Sequence, residues 1–329
     1  MFLQNRLFRT ILSEIPKDKM GMTMHFKGLD LNLLLVLDVL LKEKSVTRAG
    51  QHLHLSPSSI SGALGRLREY FDDELLMLVG RKMVPTPLGE RVAVAVNNIL
   101  LQVQATIDIK LDFDPCTVKR HFTIMMSDYT STVVMADALK KILQLAPGLT
   151  FDLIPPTDAH SEALDRGEID LLIMPKNLIS EQHPAKILFD DSYVCLADGN
   201  NKELDQYVSL EQYKKLGHVV VKAGAFRDLP HSDIFLRNKK IERRIEITTI
   251  SFNCIPRYIL GTQRIATVQK RLADEYLKYF PLKCLAPPVD IPTLIEMIQW
   301  HKYKENDPVL MWLVDNLKLS ISENDKLLS

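Results

Sequence analysis

Between Leu29 and Leu111 the apolar residues recur at helical intervals, and after Pro115 they gather into short solid runs. In "LDLNLLLVLDVLLKEKSVT" Leu34, Leu37, Asp38 and Leu41 share one side at helical spacing, and Leu31 and Leu35 widen the stripe. That pattern predicts a helix. A second one starts with Ser45 as N-cap and turns Val46, Ala49 and Leu53 inward, with Ala49 and Gly50 small enough to let another helix cross closely. "HLSP" ends that helix and begins the next, since Ser56 can cap it and Pro57 suits the first helical position. Ile60, Leu64, Leu67 and Phe71 then make a buried stripe. Opposite lie Ser58, Gly62, Gly65, Arg66 and Glu69, with Ser59 and Ser61 on the flanks.

"ELLMLVGRKMVPTP" reads as a hairpin around Gly80-Arg81-Lys82. Thr86-Pro87 opens a helix running to about Leu111, with Val92, Val96, Ile99, Val103 and Ile107 near heptad spacing. About 25 residues make a rod of roughly 37 Å. A rod with one apolar seam needs a partner, and a second copy of the chain is the simplest.

Beyond Pro115, "HFTIMMS", "TFDLIPP" and "DLLIMP" look like buried strands separated by helical stretches, the rhythm of parallel βαβ units. "SYVCLAD", "GHVVVK", "RRIEITTI", "RIATV" and "LKCLAPP" form a second series, before "DIPTLIEMIQW" and the amphipathic "NDPVLMWLVDNLKLS". Two βα subdomains with a returning C-terminus predict a two-lobed α/β module with a cleft.

Composition changes little. With 41 basic and 41 acidic residues the net charge is zero, so attraction to nucleic acid or membrane must be local. Within 24–111 ten basic residues face nine acidic ones, so one copy binds DNA weakly and tight binding needs two or four copies on adjacent half-sites. Four scattered cysteines without CxxC spacing read as reduced thiols in a cytoplasmic protein, with no metal and no cofactor expected. No apolar run is long enough to span a bilayer. Residues 1–23 read as a flexible extension or an over-long start: Arg6 and Arg9 interrupt the apolar part and argue against a secretory signal, and Met20, Met22 and Met24 could each begin translation.

Two helices joined by a short turn, the second with a small polar face, match a helix-turn-helix whose second helix enters the major groove of double-stranded DNA. Ser56, Ser58 and Ser59 at its N-terminal turn suit phosphate oxygens. Gly62 lets backbone approach closely, Ser61 flanks the face, and Arg66 can reach a phosphate or a guanine edge. Arg48, Arg81 and Lys82 add backbone contacts. The same geometry also occurs inside ordinary helical domains.

The run "LDLNLLLVLDVLLKEKSVTRAGQHLHLSPSSISGALGRLREYFDDELLMLVGRKMVPTPLGE" resembles the DNA-binding domain of LysR-type transcriptional regulators. "MHFKGLDLNLL", "RGEIDLLIMP", "LFDDSYVCLA", "KKIERRIEI" and "PLKCLAPPVDIPTLIEMIQW" resemble the nodulation-regulator subgroup in particular. The resemblance implies a winged helix-turn-helix over 24–86 and a dimerising linker helix over 87–114. It also implies a periplasmic-binding-protein-like effector domain over 115–329, with lobes at about 117–188 plus 289–320 and at about 189–288. A dimer or tetramer, a small aromatic or flavonoid-like inducer, and RNA polymerase as a further partner are implied as well. Many relatives carry Gln-Pro where this chain has Pro57-Ser58, and Arg where it has Gly62. The longest base-reading side chains are thus missing, and DNA shape gains weight.

For the effector, the resemblance points to Ser127, Asp128, Tyr129 and Thr130 ending the first strand at a helix start. Thr248, Thr249, Ser251 and Phe252 face them, with Thr267 nearby and Met174 and Phe226 as apolar walls. His52 and His54 lie two apart and diverge on a helix, "FDDEL" reads as a solvated turn, and "RNKKIERR" as a solvated surface. No catalytic triad or phosphate loop stands out, so the chain is not expected to be an enzyme. A solute-binding module or a two-lobed metabolic enzyme remains the rival reading, and neither needs the first 85 residues or so.

Overall fold

The computed structural model describes residues 25–26, 28–80, 82–107, 113–222 and 231–328. Residues 1–23, Arg81 and Phe226 lie outside these. The chain divides into two compact units, Met1–Ile109 and Lys110–Ser329.

In the first unit a short antiparallel pair, β1 (His25–Phe26) and β2 (Leu29–Asp30), precedes three helices: α1 (Asn32–Glu43), α2 (Val46–Leu53) and α3 (Pro57–Phe71). α1 is buried on nearly all sides, which is why its apolar stripe is so broad. Asp38 sits within that buried surface because Lys42 pairs with it at 2.8 Å and reaches on to Asn97 of the later helix. Gly50 has no room for a side chain: a Cβ there would stand 2.8 Å from the Leu55 carbonyl oxygen.

β3 (Leu76–Val79) and β4 (Lys82–Pro85) form the expected hairpin, with Gly80 at φ 64° in its turn. Arg68 anchors it by donating to the Glu74 and Leu76 carbonyls at 2.9 and 2.8 Å. Asp73 accepts from the Leu75 N–H and the Thr86 hydroxyl, both at 2.6 Å. The acidic stretch is therefore a structural tie, and these hydrogen bonds, Thr86 first, hold the Asp73 carboxyl below its ordinary range.

α4 (Pro87–Ile107) is about 32 Å long at 1.5 Å per residue. Its seam divides in two. Val92 and Val96 pack into the core of the helical unit, whereas Ile99, Val103 and Ile107 are exposed. The early valines turn inward because α4 lies against α1.

The second unit has two lobes. The first is a mixed sheet in the order β6-β5-β7-β14-β8. Its strands are β5 (Arg120–Met125), β6 (Leu149–Ile154), β7 (Leu171–Pro175), β8 (Ala185–Asp191) and β14 (Leu294–Gln299). β5, β6 and β7 are parallel, as the βαβ rhythm implied, but β14 returns antiparallel between β7 and β8. One face packs against α5 (Ala136–Leu145) and the C-terminal α11 (Pro308–Leu328), the other against α6 (His160–Asp165).

The second lobe contains β9 (Tyr193–Asp198), β10 (Gly217–Val221), β11 (Arg244–Thr249), β12 (Ala266–Gln269) and β13 (Leu282–Leu285). β10 and β11 pair in parallel, whereas β12 and β13 flank β9 antiparallel. Helices α7 (Leu210–Lys215), α8 (His231–Asn238), α9 (Ile255–Ile259) and α10 (Lys270–Leu277) complete it. The chain passes between lobes at Ser192 and again between Leu285 and Leu294.

Candidate nucleic-acid interface and effector cleft

The polar face of α3 is open. Ser56, in extended backbone, accepts the Ser59 N–H at 3.1 Å, and its hydroxyl lies 2.8 Å from those of both Ser58 and Ser59. Three hydroxyls thus crowd the first turn of a 15-residue helix, whose positive dipole end favours an anion. Ser56, Pro57, Ser58, Ser59, Ser61, Gly62 and Arg66 are all exposed. A Cβ built on Gly62 or Gly65 would meet nothing within 4 Å, so this face is not spent on packing within the described chain.

Arg66 forms no ion pair among the described residues and is available to a phosphate or a base edge. Tyr70, one turn farther on, is 44% exposed and lines the same depression as Arg66, Glu69 and Leu33. Sequence patterning missed it because Phe71 beside it is the half-buried ring that packs against the core. Arg48 differs from expectation: its guanidinium donates to the Glu43 side chain at 3.1 Å and to the Glu43 carbonyl. Lys82 is exposed on the hairpin, whose outer strand also exposes Leu78 and Val79.

In the second unit, Ser127 caps a helical turn, Asp128–Thr130, by accepting the Thr130 N–H at 3.2 Å. A π-helical stretch, Ser131–Met135, carries that turn into α5. Facing it, Ser251 and Phe252 open the turn Phe252–Cys254 before α9. The two meet directly. Asp128 accepts the Ser251 hydroxyl at 2.6 Å and the Asn253 N–H at 3.2 Å, while the Thr132 hydroxyl donates to the Asp128 carbonyl at 2.8 Å and lies 3.2 Å from the Asn253 side-chain oxygen. The rings of Tyr129 and Phe252 lie 6.0 Å apart, and the Tyr276 hydroxyl holds the Phe252 carbonyl at 2.6 Å. Thr249 is buried and its hydroxyl lies 3.4 Å from the Ser251 N–H, whereas Thr248 points to the exposed side of β11.

Beneath this contact lies an acidic floor that sequence reasoning did not single out. The buried Tyr129 hydroxyl donates to Asp191 at 2.7 Å, and burial, then the Asp191 charge, drives the phenol far above its ordinary pKa. Asp191 itself is raised by burial. Glu296 on β14 is 3% exposed, and its Oε2 has no partner among the described residues. Burial, then the neighbouring Asp191, pushes its carboxyl up to about 8. A Glu in the apolar alternation "LIEMIQ" was the available signal.

Like Thr248, Thr267 and Met174 face away from the position expected of them. Thr267 turns to the far side of β12, where its hydroxyl is 2.6 Å from that of Tyr213 and 3.8 Å from the Cys195 sulfur. Met174 packs with Met125, Leu164 and Leu172 on the α6 side of the sheet, because alternate residues of β7 face opposite ways. The basic run is not wholly solvated either: Arg243 pairs with Asp233 at 2.7 Å, both side chains under 10% exposed. His52 lies 3.2 Å from Glu43, and no group of three metal-ligating side chains forms among the described residues. No described helix is long and apolar enough to cross a membrane.

Residues 31–90 match the family described as "Bacterial regulatory helix-turn-helix protein, lysR family", and residues 117–320 match "LysR substrate binding domain". The chain is 39% identical over 292 residues to Nodulation protein D 3 of Rhizobium leguminosarum bv. phaseoli, spanning 89% of this chain and 97% of that one. It is 40% identical over 290 residues to Nodulation protein D 2 of Rhizobium tropici, spanning 88% and 92%. Among solved structures, full-length OxyR from Pseudomonas aeruginosa is similar in fold, with a TM-score of 0.68 at 15% identity over 90% of this chain and 96% of that one.

Proposed function

Because the chain belongs to the LysR family of transcriptional regulators, with a DNA-binding helix-turn-helix and an effector-binding domain, we propose that it is an inducer-responsive activator working in the cytoplasm. Two or four copies pair through the exposed second half of the α4 seam and present α3 to successive half-sites on operator DNA. The observation that carries this reading is the open serine- and glycine-lined face of α3, with Arg66 free on it. Hydroxyls and backbone N–H groups take phosphates, Arg66 takes a phosphate or guanine, and DNA shape supplies the rest of the specificity.

A small aromatic inducer enters between the lobes beside Ser127–Thr130 and Thr249–Phe252. By favouring one arrangement of the effector domains it changes operator bend and the contact with RNA polymerase. Its leverage is limited to its affinity difference between arrangements, about 1–3 kcal/mol in typical couplings. A mobility shift on DNA upstream of the chain's own gene, with a salt titration, tests the DNA half. Affinity indifferent to salt rejects phosphate-mediated binding. Thr249→Ala tests the effector half: induction is lost while operator binding stays, and loss of both rejects the assignment.

A further inference from the structure

The polar groups expected to hold an effector are, in this structure, holding one another. Ser127 is occupied by the Thr130 N–H, Thr249 lies against Ser251, and Ser251 gives its hydroxyl to Asp128. Asp128 belongs to the first lobe and Ser251 and Asn253 to the second, 123 and 125 positions away. The carboxylate collects two donors from the opposite lobe, and the Thr132 hydroxyl, which donates to the Asp128 carbonyl at 2.8 Å, also lies 3.2 Å from the Asn253 side-chain oxygen. Asp128, Thr132 and Ser251 are only half-buried, so water can replace these bonds and the contact can open without unfolding either lobe.

We propose that Asp128 is a positioning residue that clasps the two lobes through Ser251 and Asn253, so that effector entry and lobe rearrangement are one event. The proposal rests on the effector reading above and deepens it. Tyr129 follows Asp128 directly, reaching Asp191 at the floor and Phe252 at the rim, so a shift of the helical turn is felt at both places. An effector that takes the Ser251 hydroxyl leaves Asp128 to find other donors, and one that approaches Asp128 must bring them. Either way the clasp is given up as the effector binds.

The test is a double-mutant cycle in the full chain without effector: Asp128→Ala, Ser251→Ala and both together, with Asp128→Asn as the conservative variant. Amide hydrogen exchange is followed over 253–259, together with the unfolding midpoint and basal transcription from the target promoter. Loss of one charge-assisted hydrogen bond corresponds to about tenfold faster exchange. Ser251→Ala is expected to show about that change, Asp128→Ala at least as much because it also frees the Asn253 N–H, the double variant no more than Asp128→Ala alone, and Asp128→Asn most of the wild-type protection. Basal transcription is expected to shift at least about threefold at an unchanged unfolding midpoint. Unchanged exchange, or effects that multiply in the double variant, overturns the clasp. Changed exchange with unchanged basal transcription reduces it to a structural contact and overturns the coupling. Failure of the wild-type chain to bind operator strikes the regulator reading instead, and leaves the exchange result standing.

Discussion

Glu296 makes the stability of the effector unit depend on pH in a direction opposite to that of a paired surface carboxylate. Its ordinary pKa is 4.5, and in the fold burial lifts it to about 8. Below 4.5 the folded and unfolded chains both carry the proton and the group contributes no pH dependence. Between 4.5 and 8 the unfolded chain loses the proton while the folded chain keeps it, so stability falls as pH rises. The slope is about 1.4 kcal/mol per pH unit, which accumulates to about 3 kcal/mol at pH 7 and levels out above the folded pKa. Replacing the side chain by Gln keeps its shape and removes the titration. The Gln amide also brings N–H groups needing partners, at about 1–3 kcal/mol if they find none. The slope is therefore a cleaner readout than the absolute stability. Urea unfolding of wild type and Glu296→Gln at closely spaced pH values from 5 to 8, as about seven points, gives it directly. The difference between the two proteins should change by about 3 kcal/mol across that range. A difference that is flat with pH refutes a buried Glu296 that keeps its proton in the fold.

The remaining predictions concern the first unit. Gly50→Ala places a methyl group 2.8 Å from the Leu55 carbonyl oxygen. It should cost about 1–3 kcal/mol by forcing the turn between α2 and α3 apart, read as a lower unfolding midpoint. Arg66→Ala should weaken operator binding and lower the slope of log affinity against log salt by about 1 if its contact is to phosphate. An unchanged slope together with lost sequence preference places the contact on a base instead. Val103→Asp puts a charge on the 47%-exposed outer face of α4 and should lower the assembly state in sedimentation velocity without altering the far-ultraviolet circular dichroism. Unchanged assembly removes that face from the interface.

What the sequence made legible, and what it hid, follows from the range of the interactions involved. Ser45, Ser56 and Pro57 act within one turn of backbone, and their helices start where the residues say. The open face of α3 was also readable, since four buried residues, Ile60, Ala63, Leu64 and Leu67, leave the serines and glycines nowhere else to go. The antiparallel return of β14 was not readable, because "LIEMIQ" pairs with strands more than a hundred residues earlier. Thr267 and Met174 were misplaced by one step of alternation, which sends a side chain to the other face of its sheet. Asp128 was placed at the cleft, yet its grip on Ser251 was invisible from spacing alone.

The chain passes from one lobe to the other at only two places, at Ser192 and between Leu285 and Leu294. A door hung on two pins swings about the line through them and resists twisting out of its frame. Any rotation of one lobe against the other must be taken up by backbone torsions at these crossings, which lie apart in sequence from Asp128 and Ser251. An effector bound at the rim, as proposed above, would act far along the chain from both crossings, so a small rotation there would open the widest gap.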